Sequence, residues 1–193
     1  FYLTGYKLQH DFNSQFSFLQ NSRFYTGNLL QKNTYHTAAG FNSSTGNLMR
    51  NIYDTEEQAK GYVIDNQFTA LLQTGAIEHN LLFGIDYQQL TGTSIYNEYS
   101  SQKPDVYAFN VFTPNNDLID PNQLTQAYKG EADIEQSQLG FYVQNQLQLN
   151  NWVMILGARQ DSYQGSNAFT DASGTSEDAA DQQHLSYRLG GLY

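Results

Sequence analysis

The sequence predicts an all-β, antiparallel fold, and three observations support this prediction. Hydrophobic and polar residues alternate with period two in several stretches, which is the pattern of strands and not of helices. These stretches are longer than the five or six residues that are usual for strands in globular proteins. The connections between them are short and long in strict alternation. The three observations together predict long strands with tight turns at one end of the sheet and large loops at the other.

Seven strands are predicted along the chain. Two weaker candidates open the chain and five clearer ones follow, at residues 2–9, 15–25, 61–74, 79–90, 139–149, 152–161 and 186–193. The alternation is plainest after residue 139, where Phe141 and Val143 face one way and Gln144 faces the other. Asn66 and Asn145 are exceptions, because each places an amide on an otherwise apolar side.

The connections favour a membrane-spanning β-barrel. Tight turns are predicted at residues 10–14, 75–78 and 150–151, and long loops at residues 26–59, 91–133 and 165–181. Compact soluble domains rarely carry unstructured loops longer than about 12–15 residues. Outer-membrane barrels combine short periplasmic turns with long extracellular loops, and their strands alternate between lipid and a polar lumen. An odd strand count and an open edge do not suit a complete barrel, so we expect a segment of a larger one.

Composition excludes several classes of protein. The 193 residues hold 9 Lys and Arg against 19 Asp and Glu, a formal charge of −10, so no nucleic-acid partner is expected. The absence of cysteine excludes a disulfide scaffold and a thiol nucleophile. The mean hydropathy of −0.58 leaves no transmembrane helix candidate of about 20 residues. The chain opens on Phe1 with neither an initiator methionine nor a signal peptide, as expected of a processed or partial chain.

Motifs in the second half of the chain resemble the TonB-dependent siderophore receptors. Residues 142–146 read YVQNQ and residues 156–161 read LGARQD, where that family usually has YVQDQ and LGGRYD. Further similar stretches lie at residues 63–67, 74–87 and 186–191, in the expected order. The ferrichrome and hydroxamate receptors are the most similar sub-group. Gln160 and Asn145 depart from the family pattern, and both lie on predicted strands.

The resemblance implies a bacterial outer-membrane receptor that binds a ferric siderophore, of hydroxamate type, and imports it with TonB-derived energy. Such a receptor is a barrel of 22 strands around an N-terminal plug, so residues 1–193 would form roughly a third of one barrel domain. Neither a plug nor a TonB box is found here, and the TonB complex would act through that plug. Outer-membrane lipid and lipopolysaccharide are further expected partners. No covalently bound cofactor is implied, since the ferric siderophore is the transported ligand.

Aromatic residues in the predicted external loops are the candidate ligand site. Loops facing water do not need so many aromatic side chains for folding, so these pack on one another or line a ligand vestibule. Tyrosine suits ferric hydroxamates, because its ring supplies contact area and its hydroxyl supplies a donor. Tyr35 and Tyr128 belong to this loop set. The ligand-binding residues predicted from position and chemistry are Tyr96, Tyr99, Tyr107 and Phe109.

Charged residues on two predicted strands form a second candidate site. Arg159 and Asp161 share a parity on one strand, and Arg188 lies on the next. A lipid-facing arginine near mid-membrane costs roughly 2–4 kcal/mol, which favours the lumen, where the three would contact the plug. The alternative is a rim ion pair worth about 0 to 1 kcal/mol.

No motif indicates an enzyme or a metal site. The four histidines are isolated, and neither a nucleophile elbow nor a phosphate loop is present. Acidic clusters such as residues 54–57 do not reproduce a calcium loop. The alternatives to a siderophore receptor are a passive porin, a receptor for another nutrient, and a secreted β-rich adhesin or binding module. An outer-membrane hydrolase is the remaining alternative.

Overall fold

A computed structural model describes residues 1–101, 108–115 and 120–193, with the side chains of 37–39, 101, 108 and 121 left aside. Eight strands form one sheet: β1 (Tyr2–Asp11), β2 (Phe16–Asn42), β3 (Asn47–Thr74), β4 (Ile77–Ser101), β5 (Ala108–Asn110), β6 (Leu124–Leu149), β7 (Trp152–Asp171) and β8 (Gly174–Leu192). A 3-10 turn at Pro121–Gln123 precedes β6. No helix in these ranges is long and apolar enough to cross a membrane.

The strands follow one another across the sheet in the order β1-β2-β3-β4-β6-β7-β8, and every neighbouring pair is antiparallel. The short β5 pairs with β3 at the far end of the sheet. The seven long strands confirm the predicted all-β meander, and β5 is an addition that the sequence pattern did not indicate. Within the described residues β1 and β8 each have one paired edge.

The predicted bounds of the long loops are wrong. Residues 26–36 pair in register with residues 50–60, so β2 and β3 continue as a hairpin through the predicted loop 26–59. β7 and β8 continue in the same way through 165–181, and the loop 91–133 is confined between Ser101 and Leu124. Cross-strand pairing still satisfies the backbone there, but both faces now meet water. Apolar alternation is therefore lost although the strands persist.

The sheet has one apolar and one polar face. Phe68, Phe83 and Val143 are consecutive register partners on β3, β4 and β6, and they are 38%, 47% and 38% exposed. Ile52 and Ala70 are the buried hydrophobic residues among those described, so apolar side chains lie on a surface and not in a core. A contiguous apolar surface requires an apolar neighbour, and lipid is that neighbour for the outward face of a membrane-spanning barrel.

Aromatic residues bound this apolar band. Tyr62 and Tyr87 lie at its outer limit, since the next residues on the same face are Lys60 and Gln89. At its other limit the rings of Trp152 and Tyr193 have centroids 4.6 Å apart. Residues 79–87 of this band are nine residues, the lower end of the roughly 9–11 residues that a tilted transmembrane strand needs.

The two asparagines on the apolar face have polar neighbours. Gln20 Nε2 donates to Asn66 Oδ1 at 2.5 Å, and Tyr6 Oη donates to Gln20 Oε1 at 2.7 Å. Asn145 Nδ2 lies 3.1 Å from His79 Nδ1. Polar groups in lipid are costly unless they are hydrogen-bonded. These cross-strand contacts engage Asn66 Oδ1 and Asn145 Nδ2, whereas Asn145 Oδ1 and His79 Nε2 have no hydrogen-bond partner among the described residues.

Glycines on the polar face allow tyrosine rings to lie flat against the wall. Tyr25 is the register partner of Gly61, and Tyr142 is the partner of Gly84. A Cβ added at either glycine would lie well inside van der Waals contact with the tyrosine ring. In this position Tyr142 Oη on β6 donates to Asp65 Oδ1 on β3, 2.7 Å away, with β4 between the two strands. The rings therefore cover the backbone of the wall and leave the space in front of it open.

The connection between β4 and β6 contacts the tip of the β2–β3 hairpin, and we call this contact the clamp. Asn110 Nδ2 donates to the carbonyl of Thr45 at 2.9 Å and to Asn47 Oδ1 at 2.8 Å. The Phe112 ring covers Gly46, whose φ of 77° and missing Cβ admit that contact. β5 and the tip of the β2–β3 hairpin thus form one unit.

Substitution of Gly84 by alanine is expected to destabilise the fold by about 1–3 kcal/mol, because the added methyl displaces the Tyr142 ring and its bond to Asp65. Gly157→Ala is the matched control on the same face, since its Cβ meets neighbours at an ordinary 3.4 Å or more. Urea unfolding of the protein in detergent micelles measures both. Equal midpoints for the two variants would contradict the role given to Gly84.

Candidate functional site

Four tyrosines lie side by side on the polar face, beyond the outer limit of the apolar band. Alternation places Tyr35, Tyr53, Tyr96 and Tyr128 on the face that also carries Asp65 and Asp86. These four residues are called the tyrosine row. Their successive ring centroids are 5.6, 5.5 and 6.2 Å apart, and the Tyr53 and Tyr96 rings are stacked at 27°.

The row is placed by the register of four adjacent strands. Tyr53 on β3 is the partner of Glu98 on β4, and Glu98 is the partner of Tyr128 on β6. Tyr96 lies two residues before Glu98 and so shares its face. Aromatic pairs at these separations add about 0.5–1.5 kcal/mol beyond their area burial. The long external hairpins therefore present a continuous aromatic surface that is held by backbone pairing.

Two hydroxyls of the row, those of Tyr96 and Tyr128, have a raised pKa. Burial raises the pKa of Tyr96 to about 12, and the Tyr35 hydroxyl and the Glu98 charge act in the same direction. Tyr35 Oη accepts from Asn51 Nδ2 at 2.9 Å and lies 3.4 Å from Glu98 Oε1. Tyr128 Oη donates to Asp171 Oδ2 at 3.3 Å, and its pKa is raised by burial and by that carboxylate. The row thus places tyrosine hydroxyls beside the carboxylates of Glu98 and Asp171.

The structure separates the four predicted ligand residues. Tyr96 belongs to the tyrosine row. Tyr99 lies on the opposite face, where its hydroxyl donates to Asp54 Oδ2 at 2.6 Å. Phe109 lies on β5, and Tyr107 lies outside the described residues. Their roles as ligand residues stay predictions, and the geometry favours Tyr99 least, because it lies on the face opposite to the tyrosine row.

Three members of the row were not assigned to the site from the sequence. In the sequence-based prediction, Tyr35 and Tyr128 are among the aromatic loop residues but are not predicted to bind the ligand, and Tyr53 is not named. Continuing the period of two outward along each strand would have found them, because Tyr53 has the same parity as Asp65 on an unbroken strand.

Arg50 is a further residue that sequence reasoning missed. It is 9% exposed, its guanidinium carbon lies 4.9 Å from the Phe109 ring centroid, and burial lowers its pKa. Its Nε and Nη2 have no hydrogen-bond partner among the residues that the structure describes. It lies on the same face as Ile52, opposite to the tyrosine row.

The second predicted site is an ion network on the polar face at membrane depth. Arg159 contacts Asp86 at 2.6 and 3.0 Å and Asp161 at 2.7 and 2.9 Å. Gln138 donates to Asp161 Oδ1 at 2.8 Å. The structure therefore brings Arg159 and Asp161 together and adds Asp86. Arg188 shares the face but is exposed and makes no ion pair within the described ranges.

The structure, in the parts of the chain that it describes, contains no group of three or more metal-ligating side chains. The polar face therefore offers aromatic surface, hydroxyl groups and carboxylates. Such a face can bind a ligand by contact area and hydrogen bonds.

A sheet with one apolar face, one polar face and aromatic limits is the wall of a transmembrane β-barrel. The model of the family described as TonB dependent receptor-like, beta-barrel matches residues 1–193. The chain belongs to this family. Its location is accordingly the bacterial outer membrane, and the family consists of receptors and transporters rather than enzymes.

Curated relatives are siderophore receptors by name. The chain is 30% identical over 193 residues to the ferrioxamine B receptor of Salmonella typhimurium, covering 99% of the chain and 25% of that protein. It is 28% identical to the ferrioxamine receptor of Yersinia enterocolitica, with 98% and 26% covered. The ferrichrome outer membrane transporter/phage receptor of Escherichia coli K12 is 27% identical, with 94% and 26% covered. The chain thus spans about a quarter of the length of these relatives.

Solved structures show the same fold. The ferric-catecholate import receptor Fiu of Escherichia coli K12, in its closed form, superposes with a TM-score of 0.77 at 18% identity, covering 99% of this chain and 30% of that one. The siderophore receptor PiuA of Acinetobacter baumannii gives 0.77 at 13% identity, with 98% and 29% covered.

The tyrosine on the opposite face provides a pH test of the geometry. The hydrogen bond to Asp54, followed by burial, raises the pKa of Tyr99 to about 12. Because this value exceeds the ordinary value of about 10, the stabilisation is complete below pH 10 and is lost as the pH rises through 12. Absorbance at 295 nm, compared with Tyr99→Phe, follows the ionisation. Asp54→Asn is expected to lower the pKa of Tyr99 toward 10 and to leave the pKa of Tyr96 unchanged.

The ion network is expected to be strongly coupled. In a double-mutant cycle, Arg159→Gln and Asp86→Asn together cost about 1–2 kcal/mol less than the sum of the single changes, since either single change already removes the Arg159–Asp86 ion pair. Urea unfolding of the receptor in detergent measures the cycle. Asp178, on the same face but outside the network, serves as control through Asp178→Asn. Additive costs for Arg159 and Asp86 would contradict the network.

Proposed function

We propose that the chain is part of an outer-membrane receptor that binds a ferric siderophore, of hydroxamate type, and takes it up with energy from TonB. The tyrosine row is the observation that carries this proposal. It lies on the polar face, which is the inner face of the barrel. It also lies above the membrane-spanning part of the strands, where a ligand from the medium arrives first. The names of the curated relatives support the ligand class.

The chain serves in this proposal as roughly a third of the wall of one barrel of 22 strands. The single paired edges of β1 and β8 support it, because unpaired backbone groups at membrane depth cost several kcal/mol each. Further strands therefore continue the sheet from both edges and close it around a plug. Asp86, Arg159 and Asp161 line the lumen beside that plug, with Arg188 on the next strand.

Ligand capture in this proposal is non-covalent. A ferric hydroxamate presents a curved apolar exterior with carbonyl oxygens near the metal. The rings of the tyrosine row offer contact area to the exterior, and a tyrosine hydroxyl can supply a donor to the oxygens. Iron enters as cargo within the chelate, so the wall needs no metal ligands of its own.

Uptake follows from the plug and not from the wall. TonB acts through the plug, which moves while the barrel wall stays in register, because its backbone pairing is continuous from Thr74 to Ile52. Outer-membrane lipid and lipopolysaccharide cover the apolar face outside.

Fluorescence titration of the full-length receptor with a ferric hydroxamate tests the proposal. Wild-type receptor is expected to show saturable quenching of tyrosine and tryptophan emission. Tyr96→Ala, within the row, is expected to weaken binding about tenfold through lost stacking area and a lost donor.

Tyr99→Ala is the matched control, since Tyr99 lies three residues along the same strand on the opposite face. Binding is expected to change less than twofold. Weaker binding for Tyr99→Ala together with unchanged binding for Tyr96→Ala would place the ligand elsewhere. Absence of quenching in the wild type would contradict the siderophore proposal as a whole.

A further inference from the structure

Charge is distributed unequally between the two faces of the external strand ends. On the inner face, the described charged residues beyond the apolar band are all acidic: Glu57, Glu98, Asp171 and Asp178. The described lysines and arginines of the same strand ends all lie on the outer face: Lys32, Arg50, Lys60 and Lys129. The outer face also carries carboxylates, so the two faces differ in that, at these strand ends, only the outer one has basic residues among those described. The wall of the vestibule is therefore negative on the side that the ligand enters.

Glu98 lies in the middle of the tyrosine row. It is the register partner of Tyr53 on one side and of Tyr128 on the other. Its carboxylate is half-buried and contacts the Tyr35 hydroxyl at 3.4 Å, at the long limit of a hydrogen bond. Among the described residues no lysine or arginine forms an ion pair with Glu98. The carboxylate therefore keeps acceptor capacity for a ligand.

Aromatic rings and a carboxylate in this arrangement suit one kind of group. The face of a tyrosine ring attracts an ammonium group within about 6 Å of its centroid, and a carboxylate adds a direct ion pair. The stacked rings of Tyr53 and Tyr96 flank the position of Glu98, so both interactions are offered at one place.

This inference rests on the proposed function and narrows its ligand. We propose that Glu98 and the tyrosine row bind an ammonium group carried by the ferric chelate, so that the receptor prefers a cationic hydroxamate to a neutral one of the same shape. The remaining acidic residues of the inner face raise the local concentration of such a cation. Glu98 is then a specificity-determining residue, while the hydroxamate part binds to the row in either case.

A matched pair of probes tests this preference. The first probe is a linear ferric trihydroxamate with a free terminal amine, and the second is its N-acetyl derivative, which has lost the positive charge. Wild-type receptor in detergent is expected to bind the first about tenfold more tightly, as judged by fluorescence titration. Screening by salt is expected to reduce this ratio.

Two variants of equal charge change locate the effect. Glu98→Gln is expected to bring the affinity ratio of the two probes to about one. Glu56→Gln removes the same charge from the outer face of β3 and is expected to keep the tenfold ratio.

The outcomes separate this inference from the proposed function. Tight binding of both probes with equal affinity in the wild type supports the siderophore receptor and overturns the ammonium site. A tenfold ratio that survives Glu98→Gln also overturns it, because the discrimination then lies elsewhere. Binding of neither probe overturns the proposed function and this inference together.

Discussion

Backbone pairing in lipid is the constraint on which the rest of the structure depends. A peptide group in the hydrocarbon layer has no water to bond, so every strand must be paired along its whole membrane-spanning length. The ladder between β3 and β4 accordingly runs without a shift from Thr74 to Ile52. A continuous ladder fixes the face of every residue by simple alternation. The tyrosine row, the ion network and the apolar band all result from this alternation of residues between the two faces.

The membrane-spanning strands were predictable because lipid imposes a pattern on the sequence. Stretches such as 139–149 alternate since one face must be apolar and the other need not be. Above the membrane both faces contact water, so the hydrophobic pattern ends although the strands continue. Residues 26–36 illustrate this difference, because they pair with β3 over the whole range and show no apolar alternation. The alternation of apolar and polar residues therefore predicted the membrane-spanning part of each strand and not where the strand ends.

The candidate site was predictable only where one strand sufficed. Arg159 and Asp161 are two residues apart, so alternation alone placed them together. Their partner Asp86 lies on β4, with β6 between, and only the register of three strands reveals the contact. Tyr96 and Tyr99 were grouped by nearness in the sequence, yet an odd separation places them on opposite faces. Parity would have distinguished them and would have placed Tyr53 on the face of Asp65, whereas register was needed to bring the four tyrosines of different strands to the same height.

The clamp between β5 and the β2–β3 hairpin has a consequence for how the external surface evolves. Asn110 and Phe112 are held against residues more than sixty positions earlier, so the two connections share one boundary. A change in length on one side must be matched on the other, or the shared boundary is lost. Insertions are therefore tolerated at the Ala172–Ser173 turn, which among the described residues has no hydrogen bond to another external connection, before they are tolerated at Gly46.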